Sequence, residues 1–109
     1  MISAITLLDK IKEVNNPWSP VDVVKVNNHV VRLALFDGEF HWHKHTHEDE
    51  LFYVIKGQIV IQLKNQPDLT LSEGEMAVIP KNVEHCPKGL KPSYVLMVEP
   101  CVLKSRGDP

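Results

Sequence analysis

The residues best suited to chemistry are four closely spaced histidines, His41, His43, His45 and His47, in a chain of 109 residues with six histidines in total. All four have odd numbers, so in a β-strand their side chains project from one face. Neighbours two apart lie about 7 Å from each other, which lets two imidazoles turn onto one ion, whereas the outer pair is about 20 Å apart. The spacing therefore predicts that two of the four bind a common metal ion.

Two further residues complete a candidate metal site. Glu50 begins the next β-rich run, and a hairpin with the histidine-bearing strand would bring its carboxylate beside the imidazoles. His85 follows a later strand that is marked by glycine and proline. Three imidazoles and one carboxylate suit a divalent transition metal, namely Fe, Mn, Co, Ni, Cu or Zn. Octahedral coordination would leave two positions for water or a substrate.

The remaining histidines have other expected roles. His47 replaces His45 as a ligand if the strand runs longer, but a bulge would then be needed to keep Glu50 within reach. His41 shares the parity of His43 and is a candidate for supporting the ligands or moving a proton, which makes it, with Glu50, a candidate catalytic residue. His29 is expected to be a surface or satisfied core residue.

Short β-rich runs, each closed by a turn signal, position these residues. With no helix between the runs, an antiparallel sandwich or barrel is predicted. Apolar spacing between positions 3 and 16 predicts a short helix, which ends before Pro17, with a strand start at Ile2, Ala4 and Thr6 as the alternative. We expect a single domain, 1–109, with an N-terminal arm (1–20), a barrel core (about 21–100) and a C-terminal tail (101–109), of which residues 104–109 are expected to be frayed or linker-like. The eight predicted strands are 21–26, 29–36, 39–45, 50–55, 58–63, 69–71, 75–80 and 93–99.

Composition narrows the class of protein. Hydrophobic residues make up 43% and charged residues 24%, and the formal net charge is -2, as in a soluble globular domain. The basic residues are scattered, so neither a nucleic acid nor a membrane is an expected partner. The N-terminus does not resemble a signal peptide, and a cytoplasmic location is expected. Cys86 and Cys101 form no disulfide framework, although one bridge between them stays open, and Cys86 is expected to be a buried structural residue.

Strand alternation also predicts a pocket and a partner surface. Four side chains are expected to line an apolar cavity around the ion, as in many small-molecule sites. For each of them, the alternative is that it only packs in the barrel core. Trp42 alternates away from the ligands, and an exposed aromatic side chain on the outer face predicts a homodimer. The expected lining residues are Phe52, Met76, Val78 and Met97.

Two segments of the chain resemble the two cupin motifs. The segment 42–57 resembles the first motif, with His43-x-His45, four residues, Glu50, six residues and Gly57. The segment 74–85 is similar to the second motif, with its glycine, five residues, proline and final histidine. Asn82 stands where the family often has a turn glycine. The resemblance implies a double-stranded β-helix, or jelly-roll barrel, in which the metal ligands are His43, His45, Glu50 and His85.

The resemblance is to small single-domain cupins labelled mannose-6-phosphate-isomerase-like, although that label does not establish isomerase activity. Cupins include oxygenases, isomerases, lyases, epimerases, storage proteins and sensors, so the fold does not assign a reaction. We expect a metal-dependent enzyme of dioxygenase or isomerase type that acts on a small organic ligand. The alternatives are a non-catalytic ligand-binding or sensor cupin and an ion-free structural barrel.

Overall fold

The computed structural model describes residues 2–109, which form one short helix and seven β-strands. The helix predicted near the N-terminus is present but covers only five residues. The elements in chain order are α1 (Leu7–Ile11), β1 (Val21–Val26), β2 (His29–Glu39), β3 (Glu50–Lys56), β4 (Gln58–Leu63), β5 (Leu69–Ser72), β6 (Met76–Ile79) and β7 (His85–Pro100).

The longest strand, β7, organises the sheet. It pairs with β2 along both of its halves, from Glu39 opposite Lys88 to His29 opposite Pro100. Its first half also pairs with β4 and its second half with β3, and every pairing is antiparallel. Because β7 pairs with β2 along one edge and with β4 and then β3 along the other, it joins these strands into a single sheet that curves around a core. The predicted antiparallel jelly-roll fold is confirmed.

The structure corrects one predicted turn and one predicted strand. The Asp37-Gly38 pair does not end a hairpin, because β2 continues through it to Glu39 with a register shift between Phe36 and Gly38. Gly38 uses its positive φ of 73° at this bulge. The predicted strand 39–45 is also wrong, since residues beyond Glu39 leave the sheet and form a loop that leads to β3. The ligand-bearing segment is therefore not a hairpin partner of β3, which pairs with β6 and β7 instead.

Apolar residues fill both sides of β2. Ala34 and Phe36 pack into the barrel core, whose other fully buried members include Phe52 and Val95. Leu33 and Leu35 face the other way and pack against Val14, which follows α1. The N-terminal arm therefore covers the outer face of β2, and the continuous apolar run in this strand is explained by burial on both faces.

Both cysteines are free thiols, so the bridge left open by the sequence is not formed. Cys86 is fully buried, and burial chiefly raises the pKa of its thiol, in keeping with a packing role. Within residues 2–109, no helix is long and apolar enough to cross a membrane.

Candidate metal centre

Backbone pairing places the histidine loop against the start of β7. His43 and His85 form an isolated antiparallel bridge, in which the N–H of each donates to the carbonyl of the other at 3.0 and 2.9 Å. Asn82 N–H donates to the carbonyl of His45 at 2.7 Å. Glu50 is the first residue of β3 and lies opposite Ile79 in β6. Two stretches that are far apart in sequence, 43–50 and 79–85, are thereby fixed around one point.

The side chains of His43, His45, Glu50 and His85 converge at that point. One nitrogen or oxygen atom from each residue lies within 4.8 Å of the corresponding atoms of the other three. Glu50 Oε1 is 3.3 Å from His45 Nε2 and 3.8 Å from His85 Nε2. His45, Glu50 and His85 are buried, while His43 is half-buried. The structure thus brings together all four ligands that the resemblance implies.

Hydrogen bonds fix the tautomers of two of these imidazoles. His43 Nδ1 lies 2.9 Å from the carbonyl oxygen of His41, and His85 Nδ1 lies 2.8 Å from that of Val83. Since a carbonyl oxygen only accepts, each Nδ1 carries the hydrogen and donates it. The neutral ring then presents the lone pair of Nε2 to the cluster, which is the arrangement that metal-binding histidines adopt.

Several polar atoms of the cluster lack protein partners. Both ring nitrogens of His45 and the Nε2 of His85 are buried without a hydrogen bond to any residue that the structure describes. Each unsatisfied buried polar group costs about 1–3 kcal/mol of folding free energy, so nearly all such groups in folded proteins have a hydrogen-bond partner or a bound ion. A bound cation would be coordinated by one ring nitrogen of His45 and by the Nε2 of His85, and the donor set therefore fits a divalent transition metal.

The electrostatics of the cluster favour the protonation states that ligands need. Burial lowers the pKa of His43 to about 4, so its ring is neutral at physiological pH. Burial alone would raise the pKa of Glu50, but its interactions with His45 and His85 outweigh this effect and lower that pKa below the usual range. Neutral imidazoles and an ionised carboxylate are the forms that bind a metal ion.

A second buried polar cluster, the Arg32 network, lies next to the first. The guanidinium of Arg32 donates to Glu99 Oε2 at 2.6 Å, to Asp22 Oδ1 at 2.9 Å and to the carbonyl of Leu103 at 3.2 Å. Burial and the neighbouring Glu50 carboxylate raise the pKa of Glu99 to about 9, despite the contact with Arg32. The side chain of Arg32 is therefore committed to this network.

An aromatic cavity of about 350 Å³, including its open mouth, adjoins the metal ligands. His43 and Glu50 line one side of it, and Phe52 and Met97, which sequence reasoning placed here, also line it. The remaining walls come largely from aromatic residues that sequence reasoning did not assign to the site. These are Trp18, Phe36 and Phe40.

Comparison with known proteins identifies the family. Residues 29–99 match the Cupin_2 family model, described as a cupin domain. Over 102 residues the chain is 35% identical to "Uncharacterized protein YdbB" of Bacillus subtilis, a match that covers 94% of this chain and 84% of the relative. The chain belongs to the cupin family.

Solved structures agree with this assignment. A cupin-2 domain-containing protein from Shewanella frigidimarina superposes on this cupin with a TM-score of 0.85 at 38% sequence identity, covering 88% of this chain and 93% of the other. A protein from Neisseria meningitidis superposes with a TM-score of 0.83 at 24% identity, covering 90% of this chain and 99% of the other. The second likeness shows the fold alone.

Two of the predicted pocket residues of this cupin lie elsewhere. Met76 and Val78 are 59% and 53% exposed and do not line the cavity. In the β3–β6 pairing they lie opposite Tyr53 and Leu51, whereas buried Ile79 lies opposite Glu50. The prediction assigned the wrong face to β6, because strand alternation gives two faces without indicating which is inside.

The other cluster histidines lie outside the ligand group. His47 is exposed and does not take the place of His45 in the ligand group. His41 stacks its ring near that of Phe40, with centroids 3.9 Å apart, and its Nε2 donates to the carbonyl of Arg106 at 2.8 Å. Its backbone carbonyl orients His43, so His41 supports the site through its main chain.

The C-terminal tail, which the sequence predicted to be frayed, instead packs against the metal ligands. Ser105 lines the cavity, and Gly107 lies so close to His43 that a Cβ at this position would be 2.5 Å from the Cβ of His43. Asp108 accepts a hydrogen bond from the N–H of Thr46 at 2.7 Å, and its own N–H donates to the carbonyl of Lys44 at 3.0 Å. The tail therefore completes one side of the site.

Trp18 is the other functional candidate that the sequence did not reveal as one. Its N–H donates to the carbonyl of Leu35 at 2.9 Å, and its indole N–H donates to the carbonyl of Asp37 at 3.2 Å. These bonds hold the ring against Phe36 and Phe40. The sequence feature that could have pointed to Trp18 is its place between Pro17 and Pro20, where prolines interrupt regular structure and an aromatic side chain is free to pack elsewhere.

Proposed function

We propose that this cupin holds one divalent transition-metal ion through His43, His45, Glu50 and His85 and binds a small organic ligand in the adjoining cavity as a metal-dependent enzyme. The observation that carries the proposal is the orientation of the imidazoles. His43 and His85 donate their Nδ1 hydrogens to backbone carbonyls, which leaves the Nε2 lone pairs available beside the Glu50 carboxylate.

One set of residues would hold the metal ion, and another set lines the cavity in which the ligand would bind. When bound, a divalent ion supplies Lewis-acid chemistry that polarises an oxygen of the ligand. Glu50 and three neutral imidazoles provide four donors, so an octahedral ion would retain two positions for exchangeable partners. The aromatic cavity walls exclude water, which strengthens electrostatic interactions between the ligand and the site.

The arrangement supports a reaction of dioxygenase or isomerase type. Glu50 lines the cavity, so the carboxylate oxygen that does not hold the ion can accept a proton from a ligand that lies against it. The imidazole of His41 is less suited to this task, because its Nε2 is engaged with the carbonyl of Arg106. Glu50 is therefore the residue proposed to hold and return a proton.

Metal content tests the site. Protein purified without a histidine tag and dialysed against each of Fe, Mn, Co, Ni, Cu and Zn is expected to retain about one ion per chain for at least one metal. The double variant His43→Ala/His85→Ala is expected to retain none. His29→Ala/His47→Ala, which removes two exposed histidines, is the matched control and keeps the ion. Unchanged metal content in the first double variant would overturn the site.

Turnover tests the enzymatic part. Oxygen consumption by the loaded protein during a substrate screen identifies a dioxygenase, and exchange of deuterium from solvent into a bound ligand identifies an isomerase. The Glu50→Gln variant is expected to lose the exchange. Tight ligand binding with neither signal would instead establish a non-catalytic ligand-binding cupin.

A further inference from the structure

We infer that Asp108 of the C-terminal tail is a positioning residue for the metal site, because its carboxylate accepts the Nδ1 hydrogen of His45 when His45 coordinates the ion through Nε2. The inference deepens the function proposed above and rests on the metal site in it. Three features carry it, namely the unpaired ring of His45, the carboxylates beside that ring, and the course of the tail along the histidine loop.

The three histidine ligands differ in how their second ring nitrogen is paired. The Nδ1 hydrogens of His43 and His85 go to the carbonyl oxygens of His41 and Val83, at 2.9 and 2.8 Å. His45 is only 2% exposed, and neither of its nitrogens has a hydrogen-bond partner among the residues that the structure describes. One nitrogen of a neutral imidazole binds a metal and the other carries a hydrogen. A metal ion on His45 therefore leaves a buried N–H donor that needs an acceptor.

The position of Glu50 indicates which nitrogen of His45 faces the ion. Glu50 Oε1 lies 3.3 Å from the Nε2 of His45 and 3.8 Å from the Nε2 of His85. The Nε2 atoms of these two rings thus face the same carboxylate oxygen. His45 therefore coordinates through Nε2, and its hydrogen is on Nδ1.

Two carboxylates lie beside this histidine. One oxygen of Glu48 and one of Asp108 lie within 4.8 Å of a ring nitrogen of His45. Ionised carboxylates accept hydrogen bonds and do not donate them, so they suit an imidazole N–H. The acceptor is reached directly after a side-chain rotation or through one water molecule, since two successive hydrogen bonds of about 2.8 Å span up to about 5 Å.

Backbone hydrogen bonds hold Asp108 where it can serve His45. The N–H of Asp108 donates to the carbonyl of Lys44 at 3.0 Å, and its Oδ2 accepts from the N–H of Thr46 at 2.7 Å. Asp108 thus bonds the backbone on both sides of His45, which fixes its carboxylate beside the ring. A carboxylate accepts several hydrogen bonds, so the one from Thr46 leaves capacity for the imidazole. These bonds are the reason to assign the acceptor to Asp108 rather than to Glu48.

The tail follows the histidine loop residue by residue. The carbonyl of Arg106 accepts from the Nε2 of His41 at 2.8 Å, and Gly107 packs closely on His43. Asp108 comes next and lies level with the ligand that lacks an acceptor. Docking of the tail and coordination by that ligand are therefore linked, and each strengthens the other.

Zinc affinity, measured by competition with a chelator, tests the role of Asp108. Asp108→Ala is expected to weaken Zn²⁺ binding by about 10- to 100-fold, the usual cost of removing a group that orients a metal-bound histidine. Asp108→Asn keeps an uncharged oxygen acceptor and should recover part of the loss. Glu75→Ala is the matched control, because Glu75 also accepts a backbone N–H, from Ser72 at 2.8 Å, but belongs to neither ligand group. Unchanged affinity in Asp108→Ala would overturn the inference.

The imidazole hydrogens separate positioning of the ligand from simple anchoring of the tail. Long-range ¹H–¹⁵N NMR correlations of the zinc-loaded wild type are expected to place the hydrogen of His45 on Nδ1 and to show slow exchange with water. Asp108→Ala should make this hydrogen exchange about tenfold faster, because its acceptor is lost, while those of His43 and His85 stay slow. The inference fails if the wild type carries this hydrogen on Nε2. It also fails if Glu48→Ala, and not Asp108→Ala, speeds the exchange.

Zinc content separates this inference from the proposed function. A protein that holds one zinc ion per chain but fails these tests contradicts the role of Asp108 alone, whereas one that holds none contradicts the proposed function as well. A second zinc ion that Asp108→Ala releases would also overturn the inference, since Asp108 would then be a ligand and not an acceptor. If Asp108→Ala does not fold, Asp108→Asn decides, because a neutral oxygen accepts more weakly and the His45 hydrogen should still exchange faster than in the wild type.

Discussion

Two buried polar clusters lie side by side in this cupin and differ in how their hydrogen bonds are met. In the Arg32 network, the protein supplies partners for the guanidinium from two carboxylates and two backbone carbonyls. In the metal cluster, His45 and His85 present buried nitrogens that none of residues 2–109 satisfies. The charged group of the first cluster is therefore paired within the chain, and of its carboxylates only Glu99 Oε1 is buried without a partner, whereas the second cluster presents ring nitrogens that the described residues do not pair.

This difference distinguishes a structural group from a binding group. A network whose central cation is paired stabilises the fold, so removal of that cation leaves its partners unpaired and costs free energy. Unpaired ring nitrogens lower the stability of the metal-free protein, and metal binding restores that stability. Burial alone does not separate the two cases, because Glu99 is as deeply buried as His85. The pairing of the nitrogens does: all three guanidinium nitrogens of Arg32 are hydrogen-bonded, whereas neither ring nitrogen of His45 is.

The largest expected effect is metal-dependent stabilisation. At a free metal concentration of a thousand times Kd, the free energy of unfolding should rise by about 4 kcal/mol, since the ion binds the folded state preferentially. The His85→Ala variant should lose most of this gain, while Arg32→Met should retain it. Denaturant unfolding with and without the metal measures both. An equal gain in stability for His85→Ala would show that His85 does not bind the metal, and the proposed difference between the two clusters would be wrong.

The next effect comes from the Arg32 network. Arg32→Met should lower the free energy of unfolding by at least about 2 kcal/mol, because Glu99 and two backbone carbonyls lose their charged donor. Lys64→Met removes the exposed ion pair with Glu84 and should cost less than about 1 kcal/mol. Urea titration of the metal-free proteins compares them. Similar losses in the two variants would show that the buried network is not a stabilising element.

The metal ligands of this site could be predicted from the sequence, whereas their surroundings could not. The resemblance of two segments to the cupin motifs gives the ligand set His43, His45, Glu50 and His85, whereas strand spacing alone leaves open which of the clustered histidines bind. The spacing does not show how the chain brings them together. The Asp37-Gly38 pair signals positive φ, but a hairpin turn and a bulge use the same conformation, and only pairing with β7 decides between them.

The cavity walls depend on contacts that no local pattern encodes. The tail lies more than 60 positions from the histidine loop in sequence, and its short polar residues resemble any frayed end. Trp18 belongs to an irregular segment, where periodicity gives no orientation. The inward face of β6 depends on its register with β3, which placed Met76 and Val78 outside. In each case a long-range contact settles what local propensity leaves open.

Acid should destabilise the metal-free protein through the metal cluster. The pKa of His43 is about 4 in the folded state and near 6.5 when unfolded, so the unfolded state binds more protons between these values. The contribution of His43 to the free energy of unfolding is fully present above pH 6.5 and falls as the pH drops toward 4. The slope is at most about 1.4 kcal/mol per pH unit. It is smaller than this limit because the half-buried ring is partly screened by solvent. His43→Gln should flatten the slope relative to wild type, whereas the exposed control His47→Gln should not. Identical slopes in a series of urea titrations would contradict the assignment.

The smallest effect should arise where the tail packs on the metal cluster. Gly107→Ala places a Cβ at 2.5 Å from the Cβ of His43, and the displaced ring should bind metal about tenfold more weakly, as when groups that orient a ligand are removed. Gly74→Ala is a matched control, because Gly74 also has a positive φ but its Cβ would meet nothing within 4 Å. Both variants should lose about 1 kcal/mol of folding stability from backbone strain. Only Gly107→Ala should change the metal affinity measured by competition with a chelator. Equal affinities would mean that the tail covers the ligands without positioning them.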